Sequence, residues 1–229
     1  MCGRFQLTAS WTELTTLYGL DTPPPDGHAP SWSVCPTHSV PVLVRDDHGD
    51  RDLRLHRWGW PMPWLARQGK DPWSRPLINA KGEEARHKRT WSRAFRERRC
   101  VVPASAFIEW KRDGRARHPL AIGRADGGPL HMAGLRTTFD RDGAPQPVVT
   151  VLTVGASADV ARVHDRMPAL LAEGALDPWL DPDLDLDAAD DLLAPAPAGL
   201  LRLQELPHSI NKAGHLRAPP GPADWSLDE

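Results

Sequence analysis

Proline and glycine interrupt this chain too often for long helices to form. The sequence holds 24 prolines and 18 glycines, and their clusters mark turns rather than element interiors. Pro23-Pro24-Pro25-Asp26-Gly27 reads as a loop. Trp58-Gly59-Trp60-Pro61-Met62-Pro63-Trp64 reads as an irregular aromatic segment, because its prolines bar a central strand. Between such interruptions lie short apolar runs. Val40 to Val44 and Leu53 to Trp58 read as two strands joined by the turn Asp46-Asp47-His48-Gly49-Asp50. Cys100 to Pro103, Leu120 to Ile122, Leu130 to Leu135 and Val148 to Val154 read as four more. The expected architecture is α+β with a predominantly antiparallel sheet core. With 229 residues and no internal repeat or long linker, a single domain over 1–229 is expected, its Pro-rich segment from about residue 195 laid over the surface.

Few helices are expected. Ser10-Trp11-Thr12-Glu13 has the form of a capping box, with Leu14 and Leu17 on the buried face and an end near Gly19. Glu83 to Phe95 reads as a helix carrying a basic cluster. Ser157 should cap a short helix ending near His164, and further helices are expected around Glu173 and from Asp187 to Leu193.

A net charge of −2 does not by itself suggest nucleic acid. The distribution says more. Arg86, Lys88, Arg89, Arg93, Arg96, Arg98 and Arg99 crowd one stretch, and aspartates crowd 177–191. Segregated charge permits a basic face on a near-neutral protein, while the acidic run reads as a solvated face. Ten tryptophans against one tyrosine supply planar surface for stacking on a ligand such as a base. Three cysteines, Cys2, Cys35 and Cys100, show no CxxC spacing, which fits a reducing compartment and argues against a structural zinc site. No apolar leader or long apolar run is visible, so a soluble cytoplasmic protein with no membrane span is expected.

Four segments could carry chemistry. Cys2-Gly3-Arg4 follows the initiator methionine, and a small second residue favours its removal. The chain would then begin with a cysteine bearing an α-amine and a thiol on adjacent carbons, both partly deprotonated near neutral pH in model compounds. Such a residue can attack a carbonyl with nitrogen and close a five-membered ring with sulfur. Glu109 lies between Ile108 and Trp110, an apolar setting that suits a proton shuttle, although a strand-end glutamate paired with Lys111 or Arg112 is the commoner case. His164 can act as acid or base, or simply cap a helix end. Asn79 can orient a polar substrate, or serve as a turn residue. Singly these signals are weak; their combination with an N-terminal cysteine gives them weight.

MCGRF at the start, WGW-P-PW, INAKGE, RRCVVPASAFIEWK, AGL and HDRMPALL together resemble, in order, the SOS-response-associated peptidase (SRAP) family of abasic-site processing proteins. The resemblance runs from Cys2 to about Trp179. It implies a single SRAP domain with a barrel-like β core flanked by short helices. It further implies recognition of abasic sites in single-stranded DNA, with single-strand/double-strand junctions as a candidate location, through a thiazolidine between the N-terminal cysteine and the ring-opened sugar. Carried over by motif, Cys2 is the nucleophile, Asn79 the orienting amide, and Glu109 and His164 the acid/base groups. Gly3, Arg4, Pro36, Trp64, Lys81, Arg89, Trp110, Thr153 and Arg166 fall on positions that look like DNA contacts. No cofactor or metal is implied. A monomer that associates with the nucleoid when bound to DNA is expected, and regulation by DNA damage is implied by the family.

Lys81 stands where the family usually has arginine and would lose the planar fork toward phosphate. Ser33-Val34-Cys35-Pro36 places a second thiol near the expected groove, and Pro207-His208-Ser209 replaces a Pro-Val-Ser pattern. Two other readings use the same residues. One is a thiol peptidase or N-terminal-nucleophile hydrolase built on Cys2. The other is a non-covalent single-strand-binding module built on the tryptophans and the basic cluster.

Overall fold

The computed structural model describes residues 2–26, 28–214 and 216–227. The strands, in chain order, are β1 (Phe5–Leu7), β2 (Ser31–Val34), β3 (Ser39–Arg45), β4 (Arg51–Trp58), β5 (Asn79–Lys81), β6 (Arg99–Ala104), β7 (Ala106–Asp113), β8 (Ala116–Arg124), β9 (Leu130–Arg141), β10 (Ala144–Gly155), β11 (Arg166–Pro168) and β12 (Leu201–Glu205). The helices are α1 (Trp11–Tyr18), α2 (Gly82–Ala85), α3 (Ser92–Glu97), α4 (Leu176–Leu180) and α5 (Leu186–Asp191).

β9 and β10 form a long hairpin whose two-residue turn, Asp142-Gly143, holds both residues at positive φ (57° and 82°). That is the turn geometry whose twist matches antiparallel strands. The hairpin is long enough for β10 to reach β4 on its other edge, in parallel register, while β9 reaches β6. The path β10-β4-β3-β6-β9 then returns to β10 and closes a barrel. Closure leaves no open edge around that ring. β3 and β6 are buried on both faces, and Val42, Leu43, Val101, Val102, Met132, Val149 and Val151 all belong to the continuous apolar core within and around the barrel. A second sheet, ordered β12-β8-β7-β1-β2, packs beside the barrel. The fold is thus the α+β, mostly antiparallel, barrel-like architecture expected, with short helices around it.

Local chemistry explains most elements. The Ser10 hydroxyl accepts from the Glu13 N–H and the Glu13 carboxylate takes the Ser10 N–H, so the capping box at α1 is complete. Such a cap stabilises a helix by about 1 kcal/mol. Gly19, at φ 68°, ends the helix in the left-handed conformation. Gly59 has φ 133°, and a Cβ there would lie 2.8 Å from Pro76 Cβ, so the Trp58–Trp60 kink requires glycine.

Four expectations are corrected. The single helix over Glu83 to Phe95 is split into α2 and α3, with turns between them. Trp91 is buried there, edge-on to Trp60 at 4.9 Å between ring centroids. Burying a large side chain is worth about 1.5–3 kcal/mol, against a few tenths per residue of helix propensity, so packing wins. The helix expected after Ser157 is a run of turns, in which Val160 and Ala161 donate to the Ser157 carbonyl and His164 N–H to that of Val160. The 201–205 stretch is not merely laid over the surface: β12 pairs with β8 from Leu201↔Arg124 to Glu205↔Leu120. The acidic run is not simply solvated: Arg86 bonds Asp187 and Asp190, and Arg45 and Arg51 bond Asp177.

No helix of the described residues is long and apolar enough to cross a membrane.

Candidate active site and nucleic-acid interface

The site begins where β1 meets β7. The Ile108 N–H donates to the Arg4 carbonyl at 2.8 Å, which brings the N-terminal segment alongside Glu109. Alternation along β7 sends Phe107 and Glu109 to the inner face and Ile108 and Trp110 to the outer one. Phe107 accordingly joins the main core with Cys2 and Phe5, while Ile108 and Trp110 pack in a separate cluster with Ala106, Ala121, Leu206 and Ile210. Glu109 is 3 % exposed.

Cys2 has no exposed surface. Its thiol donates to the Arg4 carbonyl at 3.4 Å. Burial, and then the negative charge of Glu109, push the thiol well above the ordinary thiol range; the contact with the Arg4 backbone opposes them. At neutral pH the sulfur therefore carries its proton and is no standing thiolate. Asn79, on β5, donates from Nδ2 to the Cys2 carbonyl at 2.7 Å, and its Oδ1 is buried without a hydrogen-bond donor. Cys2, Asn79 and Glu109 thus meet, although long stretches of sequence separate them.

β10 extends this cluster. On one side it pairs in parallel with β5, Val151 opposite Asn79 and Thr153 opposite Lys81. On the other it pairs with β11, Thr153 opposite Pro168 and Gly155 opposite Arg166. His164 lies in the segment that enters β11. Its Nδ1 accepts from the Arg166 N–H at 2.9 Å and sits 2.8 Å from the Asp165 carboxylate. These contacts make opposite demands: the first needs a lone pair on Nδ1, the second a proton. The neutral ring that accepts from Arg166 carries its proton on Nε2.

The residues expected to meet DNA fall into three settings. Trp64, 42 % exposed, and Arg89 line one cleft of about 560 Å³ with Trp60, Pro63, Arg67, Thr90 and Phe139. No acidic side chain among the described residues pairs with Arg89. The rest of the basic cluster is largely spent internally: Arg86 on α5, Lys88 on Glu84, Arg93 on Glu97, and Arg99 buried against the carbonyls of Phe95 and Trp179. The expectation of a broad basic face thus narrows at this cleft to Arg89 and Arg67.

Lys81 is exposed and 3.3 Å from Glu84. Arg166 makes a two-pronged pair with Glu83, at 2.6 and 2.8 Å, which holds that carboxyl below its ordinary range. Thr153 has no exposed surface; its hydroxyl donates to the Ala80 carbonyl at 3.3 Å, and its own carbonyl accepts from Arg166. Thr153 therefore seats Arg166 rather than presenting a surface.

Arg4 and Trp110 occupy the third setting, the outer face of the second sheet beneath the C-terminal segment. Pro36 is half-buried in the tight turn from β2 to β3, beside Thr37 at φ 75°, and Gly3 is half-buried between Cys2 and Arg4. No sequence motif singles out Arg67, Glu83 or Asn211 as site residues, and nothing in the Lys81-Gly82-Glu83-Glu84 run discloses that Glu83 reaches Arg166. Among the described residues no group of three or more His, Cys, Asp or Glu side chains is arranged to hold a metal ion.

A closed β barrel with a buried cysteine gathered with an asparagine and a glutamate, and a separate aromatic and basic cleft on the same domain, is the class of protein defined here. The family described as SOS response associated peptidase (SRAP) matches residues 1–213, and the chain belongs to it. The chain is similar to the abasic site processing protein YoqW of Bacillus subtilis, 29 % identical over 215 residues, covering 92 % of this chain and 94 % of that one. It is similar to the abasic site processing protein YedK of Escherichia coli at 28 % over 206 residues, covering 85 % and 86 %. A crystal structure of a protein from Bacteroides thetaiotaomicron shares the fold, with a TM-score of 0.80 at 19 % identity over 93 % of this chain and 95 % of that one.

Proposed function

We propose that this protein processes abasic sites in single-stranded DNA by capping the lesion covalently with Cys2 once Met1 has been removed. The single observation that carries the reading is the full burial of Cys2 together with Glu109, its carbonyl anchored by the Asn79 amide. A thiol peptidase would profit from a thiolate, whereas burial and the Glu109 charge both push this thiol's pKa up. A protonated sulfur suits a nucleophile that acts second.

In the proposed sequence the α-amine of Cys2 adds to C1′ of the ring-opened sugar and water leaves, giving an imine. The sulfur then bonds to the imine carbon while its proton passes to the imine nitrogen, and a thiazolidine closes. Glu109 relays that proton. His164 assists opening of the sugar ring, with Nε2 as its donor. Both nucleophiles belong to one residue, so closure is intramolecular, with effective molarities that reach about 10⁵–10⁸ M in well-oriented systems. Closure consumes the imine on which β-elimination depends, so the strand is protected; a persistent imine would give lyase chemistry instead. Protonation of the ring sulfur through Glu109 would reopen the adduct. Trp64 and Arg89 supply stacking and a phosphate contact in their shared cleft, and removal of Met1 by the same site is a compatible minor activity.

Denaturing gels with abasic and intact oligonucleotides test this. Expected is a shifted band with the abasic strand alone, lost in Cys2→Ala and when the N-terminus is blocked or retains Met1. A stable adduct with Cys2→Ala would overturn the reading.

A further inference from the structure

Arg4 joins the thiol to the far end of the chain. Through its main chain it accepts the Cys2 thiol at 3.4 Å and the Ile108 N–H at 2.8 Å. Through its side chain it reaches across to the C-terminal segment: Nη1 donates to the carbonyl of Ile210 and, at 3.2 Å, to that of Lys212. Its guanidinium lies 5.3 Å from the centre of the Trp110 ring, whose Nε1 donates to Asn211 Oδ1 at 2.6 Å. Asn211 in turn donates to the Arg117 carbonyl at 3.3 Å, and Ile210 is buried against Ile108 and Ala106. Further on, the Leu216 carbonyl accepts from the Trp32 N–H at 2.7 Å. Residues 207–214 thus form a strap stitched to Arg4, just ahead of β1, and to β7 and β8, and Leu216 beyond it is tied to β2. Arg4 is the knot under it, 8 % exposed.

We propose that Arg4 is a positioning residue for Cys2: it locks the C-terminal strap onto the sheet and thereby fixes the carbonyl that holds the thiol, and it does not meet a DNA phosphate. A phosphate could reach this guanidinium only after the strap had lifted and the stacking on Trp110 and both carbonyl bonds had been given up. Clamping has a direct route to the chemistry, because side chain and thiol acceptor belong to one residue. A shift of about 1 Å in a reacting group can cost on the order of a hundredfold in rate. The chemical part of this inference rests on the abasic-site reading above; the clamp itself does not.

The test compares Arg4→Gln and Asn211→Ala, one from each side of the knot, with the unchanged chain. The first measurement needs no DNA: the rate of Cys2 alkylation by iodoacetamide in the folded protein, read on the N-terminal peptide by mass spectrometry. Both variants are expected to speed it roughly tenfold, and the double variant no more than Arg4→Gln alone. The second is the single-turnover rate of adduct formation at saturating abasic oligonucleotide, expected to fall roughly tenfold in both variants. The third is the salt dependence of non-covalent binding to an intact single strand, expected to keep its slope. A slope lower by about 0.7 in Arg4→Gln, with alkylation and saturated adduct rate unchanged, would make Arg4 a phosphate contact and overturn the proposal. Unchanged alkylation in Asn211→Ala would overturn it as well, even if Arg4→Gln failed to fold. If the unchanged chain forms no adduct, the abasic-site reading falls while alkylation still decides the clamp.

Discussion

The side-chain amide of Asn79 holds the main-chain carbonyl of Cys2 at 2.7 Å. It fixes the residue by its backbone and makes no bond to the thiol. Asn79→Asp puts an acceptor opposite an acceptor, which removes the bond and adds repulsion. Adduct formation is expected to fall ten- to a hundredfold. Global stability should change by about 1–3 kcal/mol. Single-turnover kinetics and urea titration check the two separately.

Glu109 acts on the thiol through its charge. Neutralising it in Glu109→Gln should lower the thiol pKa, because a neighbouring anion disfavours the thiolate. Burial remains, so the shift is partial. The pH profile of Cys2 alkylation is expected to move to lower pH while adduct yield drops, since the relay is gone. An unshifted alkylation profile with a lower adduct yield would show that the carboxylate does not act on the thiol through its charge.

Cys100, fully buried in β6, has its thiol pushed up to about 12 by burial, with Arg136 opposing. The folded state keeps that proton after the unfolded chain has lost it, from the ordinary thiol pKa near 9 upward. The native state then binds more protons, so stability falls as pH rises. One such thiol contributes a slope of about 1.4 kcal/mol per pH unit, beginning near pH 9 and levelling off near 12. Cys2, raised in the same direction, adds to it. Thermal melts of Cys100→Ala across this window should show a shallower alkaline decline than the unchanged chain.

In the cleft, Trp64→Ala is expected to cost about 1–3 kcal/mol of single-strand binding. Arg89→Gln should reduce the magnitude of the salt slope by about 0.7. Arg86→Gln should leave that slope unchanged, because Arg86 is already engaged with Asp187 and Asp190. Fluorescence titrations at several salt concentrations separate these outcomes.

What the sequence disclosed, and what it withheld, follows the range of the forces involved. The Ser10–Glu13 box, the turn at Asp46–Asp50 and the apolar runs of β3, β4, β6 and β10 are local patterns, and each appears where local chemistry puts it. The break between α2 and α3 depends on Trp60 accepting Trp91, and β12 depends on the free edge of β8; neither partner is visible from the segment itself. The strands β1, β5 and β11 are three residues each, too short for any periodicity to show. At the site, motifs nominated Cys2, Asn79 and Glu109, which the fold gathers. Alternation along β7 could have forecast that Glu109 and Trp110 serve opposite faces, and hence that Trp110 and Glu109 do not share a surface.

The complete burial of Cys2 bears on how such a chain is made. β1 takes its place between β2 and β7, and β2 emerges soon after it, whereas Phe107, which pairs with Phe5, is about a hundred residues further on. At about 5–20 residues per second of synthesis, the amino terminus waits some 5–20 s before its second neighbour exists. An aminopeptidase that trims Met1 has that interval of translation in which to work. Once β7 arrives, Cys2 passes out of reach of any enzyme that must grip an extended end.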